Sequence, residues 1–178
     1  MKFTRDNIIF LAKFFGLFLV LYYGTYAFIG LSTEGDLYFP WLKYIDYVSW
    51  YRHFLLKSAE HFLGVLGEYA FVEDRFYLNI NGRLRIQLIY ECLGIGVNSF
   101  WVAFVVTNKL GVKVYKVYWV LSGFLIITLL NISRIIVLGL ALYNKWPLLA
   151  KIEHHTLYNY LVYVVIILMV WLYKKRQN

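Results

Sequence analysis

The 178-residue chain holds one cysteine, two prolines and ten acidic residues. A single thiol excludes an intramolecular disulfide framework, so the fold has to be held by packing. No linker-like or low-complexity tract interrupts the chain and no internal repeat is visible, so a single integral domain over residues 1–178 is expected. Charged residues are scarce too, at 16%, against 61% hydrophobic and 21% aromatic. So few charges cannot coat a soluble surface, and the composition is that of a membrane protein. Also missing are an HExxH zinc pair, a GxSxG nucleophile elbow and a phosphate-binding glycine loop. His53 and His61 stand eight residues apart, more than two helical turns, without the spacing of a helical zinc pair. No metal and no cofactor is expected.

Long apolar runs are what the chain has in abundance. Crossing roughly 30 Å of hydrocarbon at about 1.5 Å per residue takes about 20 residues. Four segments approach or exceed that length: residues 8–31, 88–107, 117–143 and 158–173. The first is too long for the apolar core of a signal peptide, carries Lys13 and lacks a small-residue cleavage site, so it reads as a permanent span. The expected fold is an all-α membrane protein with four transmembrane helices, and residues 32–87 form a segment outside the bilayer.

The net charge of +8 is distributed by topology. Lys2 and Arg5 precede the first span, Lys109, Lys113 and Lys116 fill the loop after the second, and Lys174, Lys175 and Arg176 follow the fourth. With four spans all three clusters fall on one side, the positive-inside pattern, which puts both termini in the cytoplasm. Basicity then serves orientation and contact with anionic lipid; no nucleic-acid partner is expected.

Within the outer segment, polar residues recur at Lys43, Asp46, Ser49, His53, Lys57 and Glu60, one stripe along an otherwise apolar helix. Trp41, Tyr44, Tyr47, Trp50 and Tyr51 suit the headgroup region, so this is an amphipathic helix lying at the interface. A fifth span is the rival reading, at the cost of burying Asp46, Lys57 and Glu60 in hydrocarbon. The stretch "FYLNINGRLRIQLI" reads as a β-hairpin around Asn81 and Gly82. A two-residue loop would pair Leu78 with Arg85 and Ile80 with Arg83. A three-residue loop of Ile80, Asn81 and Gly82 instead pairs Leu78 with Leu84 and Tyr77 with Arg85, giving two consistent faces.

Ionisable or reactive groups near the membrane demand an account, because they are costly there. Cys92 opens the second span. Arg134 lies far along the third in "LLNISRIIVLGL", with Asn131 three residues earlier on the same helical face. Snorkelling to the interface is the plain reading of Arg134, and an inert small hydrophobe is the plain reading of Cys92. From Val117 to Arg134 is 17 residues, about 26 Å of helix, which brings the guanidinium toward the outer surface. The "EHH" of residues 153–155 precedes the fourth span on that same side. Thiol, guanidinium and imidazole thus share one membrane boundary. Such a trio suits acyl transfer: a thiolate attacks a carbonyl, a cation stabilises the oxyanion, and histidine exchanges protons. Glu91 either orients a histidine or hydrogen bonds at the interface.

The ordered set "ECLGI" at the start of a span, "NISRI" on the next and "HHTLY" before the last resembles the exosortase and archaeosortase family of membrane transpeptidases, in particular its short F-type exosortases. The resemblance covers roughly residues 76–165. It implies Cys92 as nucleophile, Arg134 as substrate or oxyanion clamp, and a histidine as acid and base: His155, which Tyr158 follows, with His154 as the alternate. Asn131, Glu91 and Gly94 are supporting residues of those motifs. It further implies an active site on the periplasmic face of a bacterial inner membrane, and a C-terminal sorting tail of an exported protein as the partner cleaved. The acyl group would pass to a surface acceptor. Substrate tails would pair with the hairpin edge near Tyr77 to Ile86, which makes Arg83 and Arg85 substrate-binding candidates. The chain lacks the additional spans of larger members, and Leu93 stands where many carry a small residue; both departures suit reliance on a small membrane partner protein, or a non-catalytic assembly or export factor.

Overall fold

The computed structural model describes residues 5–33, 38–109, 112–146 and 154–176, the side chains of 154–157 excepted. The described residues form ten elements in order. Helix α1 (Arg5–Ser32) leads through a 3-10 turn (Pro40–Ile45) to α2 (Tyr47–Val65). Strands β1 (Ala70–Glu73), β2 (Tyr77–Ile80) and β3 (Leu84–Gln87) come next, then a 3-10 turn (Tyr90–Leu93). Helices α3 (Ile95–Thr107), α4 (Lys113–Tyr143) and α5 (His154–Lys175) complete the described elements.

Among the described residues, four helical segments are long and apolar enough to span a bilayer: Arg5–Ser32, Tyr90–Thr107, Lys113–Tyr143 and Tyr158–Lys175. Helix is the form these segments have to take, since hydrocarbon offers the backbone no hydrogen-bonding partner and a helix satisfies its own. The chain is a multi-pass, all-α membrane protein carrying one small antiparallel sheet. Helix α2 is not among the four spans.

The chain divides into two compact units. The first comprises Met1–Asp46, Ile95–Leu125 and Val170–Asn178. Here α1 packs on α3 through aromatic side chains. Phe10, Phe14, Phe18 and Tyr22 recur every fourth residue along α1 and stack ring on ring, and Phe14 meets Phe100 edge to face at 5.4 Å. Trp101, fully buried, donates its indole N–H to the Trp119 carbonyl at 2.9 Å and lies against Gly123, where a Cβ would come within 1.8 Å of Nε1. Phe104, Trp119 and Tyr173 close around it. Lys116 donates to the carbonyls of Val106 and Asn108 at the end of α3, satisfying acceptors a helix terminus leaves open.

The second unit comprises Tyr47–Gly94 and Ile126–Met169. The face α2 buries is Val48, Arg52, Leu55, Leu56, Ala59 and Leu63, spaced three and four apart. The expected polar stripe lies off this face, except that the helix is not continuous from Lys43: the chain breaks at Asp46, between the 3-10 turn and α2. The order β1-β2-β3 makes the sheet three-stranded, so the expected hairpin (β2 and β3) gains a strand on its far side. Register differs as well. Leu78 pairs with Ile86 and Ile80 with Leu84, so the loop is Asn81, Gly82 and Arg83 rather than Ile80, Asn81 and Gly82. The shift is by two residues and keeps every side chain on its expected face. Asn81 and Gly82 are both left-handed, at φ 53° and 65°, and the Arg83 N–H donates to the Ile80 carbonyl at 3.1 Å, the pattern of a type I′ turn. Asn81 also donates to the Glu68 carboxylate at 2.6 Å and accepts from the Tyr69 N–H at 3.1 Å, which pins the turn where it is.

Strand β1 escapes the pattern reading for a physical reason. Its connection to β2 turns on Asp74 and Arg75, left-handed at φ 51° and 61°, where glycine or asparagine would normally signal the turn. What holds β1 is Glu60 on α2, whose carboxylate accepts the Val72 N–H at 2.8 Å. Leu78 and Ile80 are fully buried, and Gly139 on α4 leaves room for Ile80. The sheet therefore seats its apolar face on α4.

Candidate functional site

Cys92 sits in the short turn Tyr90–Leu93, its N–H donating to the Ile89 carbonyl at 3.0 Å. The turn ends because Gly94 takes the left-handed conformation, φ 69°, which redirects the chain into α3. Glycine is demanded there twice over: a Cβ would also stand 2.9 Å from the amide nitrogen of Asn131. That close approach has a purpose. Asn131, buried on α4, donates its side-chain N–H to the Leu93 carbonyl at 3.2 Å and so ties the cysteine-bearing turn to α4.

Arg134 follows Asn131 by three residues, hence on the same side of α4. Its charge acts directly on the Cys92 thiol with the sign that favours a thiolate, while Glu91, exposed, acts with the opposite sign. The guanidinium is half-buried and lies 5.4 Å from the centre of the Tyr158 ring, and the Tyr158 hydroxyl shares a 2.8 Å hydrogen bond with Ser133. Cys92, Arg134, Asn131, Gly94 and Glu91 are thus gathered at one place. His154 and His155 open α5, three or four residues before Tyr158; their side chains lie outside the described residues.

The hairpin arginines behave differently. Arg85 is held by Glu73 at 3.0 Å and by the Tyr77 ring at 3.8 Å, and Arg83 is exposed in the turn. Because β1 covers one side of β2, Tyr77–Ile80 is a central strand; β3 is the edge on the Arg85 side. An added strand can therefore pair with β3 and not with β2.

Two residues of α2 belong to this neighbourhood without having been singled out by pattern. Tyr51 shares a 3.0 Å hydrogen bond with the Thr128 hydroxyl and bonds Asn131, linking α2 to the residue that holds the cysteine turn. Burial pushes its phenol above the ordinary tyrosine value, although those two hydrogen bonds oppose the rise, so the hydroxyl stays protonated and able to donate. Arg52 is 2% exposed, with its guanidinium carbon 4.0 Å from the centre of the Tyr90 ring and 4.7 Å from that of Phe76. The available signal was position: Arg52 falls four residues after Val48 and three before Leu55, a cation on the apolar face rather than in the polar stripe. Among the described residues, no three His, Cys, Asp or Glu side chains group closely enough to hold a metal ion.

The fold and this cluster define a class: a polytopic helical membrane protein that presents a thiol beside a guanidinium where a span begins. Comparison with known families makes this narrower. A family model described as transmembrane exosortase matches residues 36–172, and the chain belongs to that family. No curated protein and no solved structure matches it.

Proposed function

We propose that this exosortase-family protein is a membrane-embedded cysteine transpeptidase or protease that cleaves the C-terminal sorting tail of exported proteins. The observation that carries the reading is the hydrogen bond from Asn131 to the Leu93 carbonyl, which keeps the Cys92 turn beside the face of α4 that bears Arg134. The Cys92 thiolate attacks the scissile carbonyl carbon, and the guanidinium of Arg134 stabilises the oxyanion that forms. His155, with His154 as alternate, delivers a proton to the departing amine as the carbon–nitrogen bond breaks. A thioester remains on Cys92. An acceptor nucleophile or water then attacks it, His155 takes the incoming proton, the carbon–sulfur bond breaks, and the thiolate is regenerated. Arg134 opposes only part of the penalty that the apolar surroundings place on a thiolate.

In this reading the protein lies in a bacterial inner membrane with both termini cytoplasmic, and Cys92 faces the periplasm. The tail enters laterally from the bilayer, and β3 offers its edge to the extended recognition motif, with Arg83 near its start. A small membrane partner supplements the short scaffold. The test is processing of an exported reporter bearing a cognate tail. Cys92→Ala is expected to abolish the mobility shift of the reporter while leaving the membrane protein at normal abundance. Full function with Cys92→Ala would instead assign the chain to assembly or export without catalysis.

A further inference from the structure

Four ties fix the course of α2, all within the second unit. Near its start the Tyr51 hydroxyl shares a hydrogen bond with the Thr128 hydroxyl and bonds Asn131. The next residue, Arg52, lies against the rings of Tyr90, which opens the cysteine turn, and of Phe76, which precedes β2. Two turns on, the Glu60 carboxylate accepts the N–H of Val72, which stands opposite Leu78 in the sheet. Beyond the end of α2, Glu68 accepts from Asn81 in the hairpin turn, next to the Ile80 that lies against Gly139. The level reached on α4 therefore climbs from Thr128 and Asn131 to Gly139 as α2 proceeds. Thr128 and Gly139 are 11 residues apart, about 16 Å of helix, and Tyr51 to Val65 is 14 residues, about 21 Å.

A helix lying along the interface keeps one depth; α2 changes depth along its length. Helix α4 is a span, and Thr128 precedes its last residue, Tyr143, by 15 residues, about 22 Å of helix. Beside Thr128, the apolar side chains of Ile126 and Leu129 are 37% and 53% exposed, as residues facing hydrocarbon are. The outward face of α2 follows the same gradient. Opposite its buried face it carries Trp50 and Phe54, 58% and 54% exposed, and then Lys57 and His61. The rings come at the level where α4 is apolar, and the cation and imidazole come one to two turns nearer the sheet. A rise in polarity over three turns matches the passage from acyl chains to headgroups, and a charge sunk to the level of Trp50 would be costly.

We propose that the first half of α2 is sunk in the leaflet beneath the sheet, with its Trp50 and Phe54 face in contact with lipid acyl chains. The helix then rises through that leaflet, from the level of the cysteine turn to the headgroups at Lys57 and His61, instead of lying along the interface. The occupant of this face is hydrocarbon because α4 meets the same medium at the same level. Lipid thereby reaches the immediate neighbour of Tyr51, the residue bonded to the Asn131 that holds the cysteine turn. The assignment needs only that α4 spans the membrane and is independent of the peptidase reading.

The experiment uses the full chain in bilayers of phosphatidylcholine and phosphatidylglycerol. With Cys92 replaced by Ser, a nitroxide is attached at one new cysteine at a time: Phe54→Cys, His61→Cys, Leu129→Cys as the lipid-facing reference and Arg83→Cys as the aqueous one. Power saturation compares collisions with oxygen, which concentrates in hydrocarbon, and with a water-soluble nickel chelate. The oxygen-to-chelate ratio at Phe54→Cys should equal that at Leu129→Cys and exceed that at Arg83→Cys about tenfold, because a polar chelate is excluded from hydrocarbon. The ratio at His61→Cys should fall between the two references. Equal intermediate ratios at Phe54→Cys and His61→Cys would mean a helix lying along the interface and would overturn the proposal. Free access of the chelate at Phe54→Cys would overturn it in favour of water, and exclusion of both reagents in favour of a protein partner or a second copy. A second measurement keeps α2 close to native: wild type and Trp50→Phe are compared in bilayers of phosphatidylcholine brominated along its acyl chains. The emission lost on replacing Trp50 should be strongly quenched by the bromine; an unquenched Trp50 component overturns the assignment.

Discussion

Single side chains carry the sharpest consequences at the cysteine turn. Gly94 combines a left-handed backbone with a contact to Asn131 that leaves no space for a methyl group. Gly94→Ala is expected to cost about 2 kcal/mol from the backbone alone, with a further cost from displacing Asn131. Thermal unfolding in detergent would register the loss, and tail processing should fall alongside it. Arg134→Lys separates charge from shape. Lysine keeps the cation but not the planar fork, so processing should drop about 100-fold at unchanged abundance if the guanidinium grips its target through two hydrogen bonds. Near-normal processing would reduce the role of Arg134 to that of a point charge. At this scale the site was partly legible: Cys92, Arg134 and Asn131 were visible as polar residues in apolar helices. Arg52 and Tyr51 were not, because in the one-dimensional pattern an arginine and a tyrosine on an aromatic helix look like ordinary interfacial residues.

Elements explain why those side chains meet. The turn Tyr90–Leu93 and α4 are joined through Asn131, and α2 is joined to the same residue and to Thr128 through Tyr51. Asn131→Leu is expected to lower processing at least tenfold by freeing the turn, even though an apolar residue is tolerated on a buried helix face. Reactivity of Cys92 toward a small maleimide should rise in the same variant as the turn loosens. In the other unit, α3 approaches α4 closely only because Gly123 leaves room for Trp101. Gly123→Ala should destabilise by about 3 kcal/mol, through overpacking and loss of the indole N–H bond to Trp119, read by thermal unfolding and tryptophan fluorescence. The spans were legible in the sequence because length and apolarity are local properties. The parity of the β2–β3 register was legible too, since a one-residue slip would have turned charged residues onto the buried face. Its loop was misplaced by one residue because the turn is fixed from outside itself, by Glu68 and Tyr69.

For the whole molecule, the question is which side of the membrane each end occupies. Three basic clusters on one side of a four-span chain predict cytoplasmic termini and a periplasmic sheet. With Cys92 replaced by Ser, a single cysteine at Gly82 should be labelled from the periplasm by a membrane-impermeant maleimide, and one at Gln177 only after permeabilisation. Labelling of both from one side would break the four-span topology and move the thiol to the wrong face for exported substrates.

Composition and the lengths of the apolar runs were enough to determine a multi-pass helical membrane protein, because the bilayer admits almost no other backbone for such segments. The ordered motifs around Cys92, Arg134 and His155 were enough to point to the family. Tertiary structure alone decided how the cysteine turn is held, that a third strand covers the hairpin, and that the Arg52 cation is enclosed against the rings of Phe76 and Tyr90. Each of these depends on hydrogen bonds or ring contacts between residues distant in the chain, from Asn131 to Leu93, Glu60 to Val72 and Arg52 to Tyr90, and no local periodicity encodes such partners.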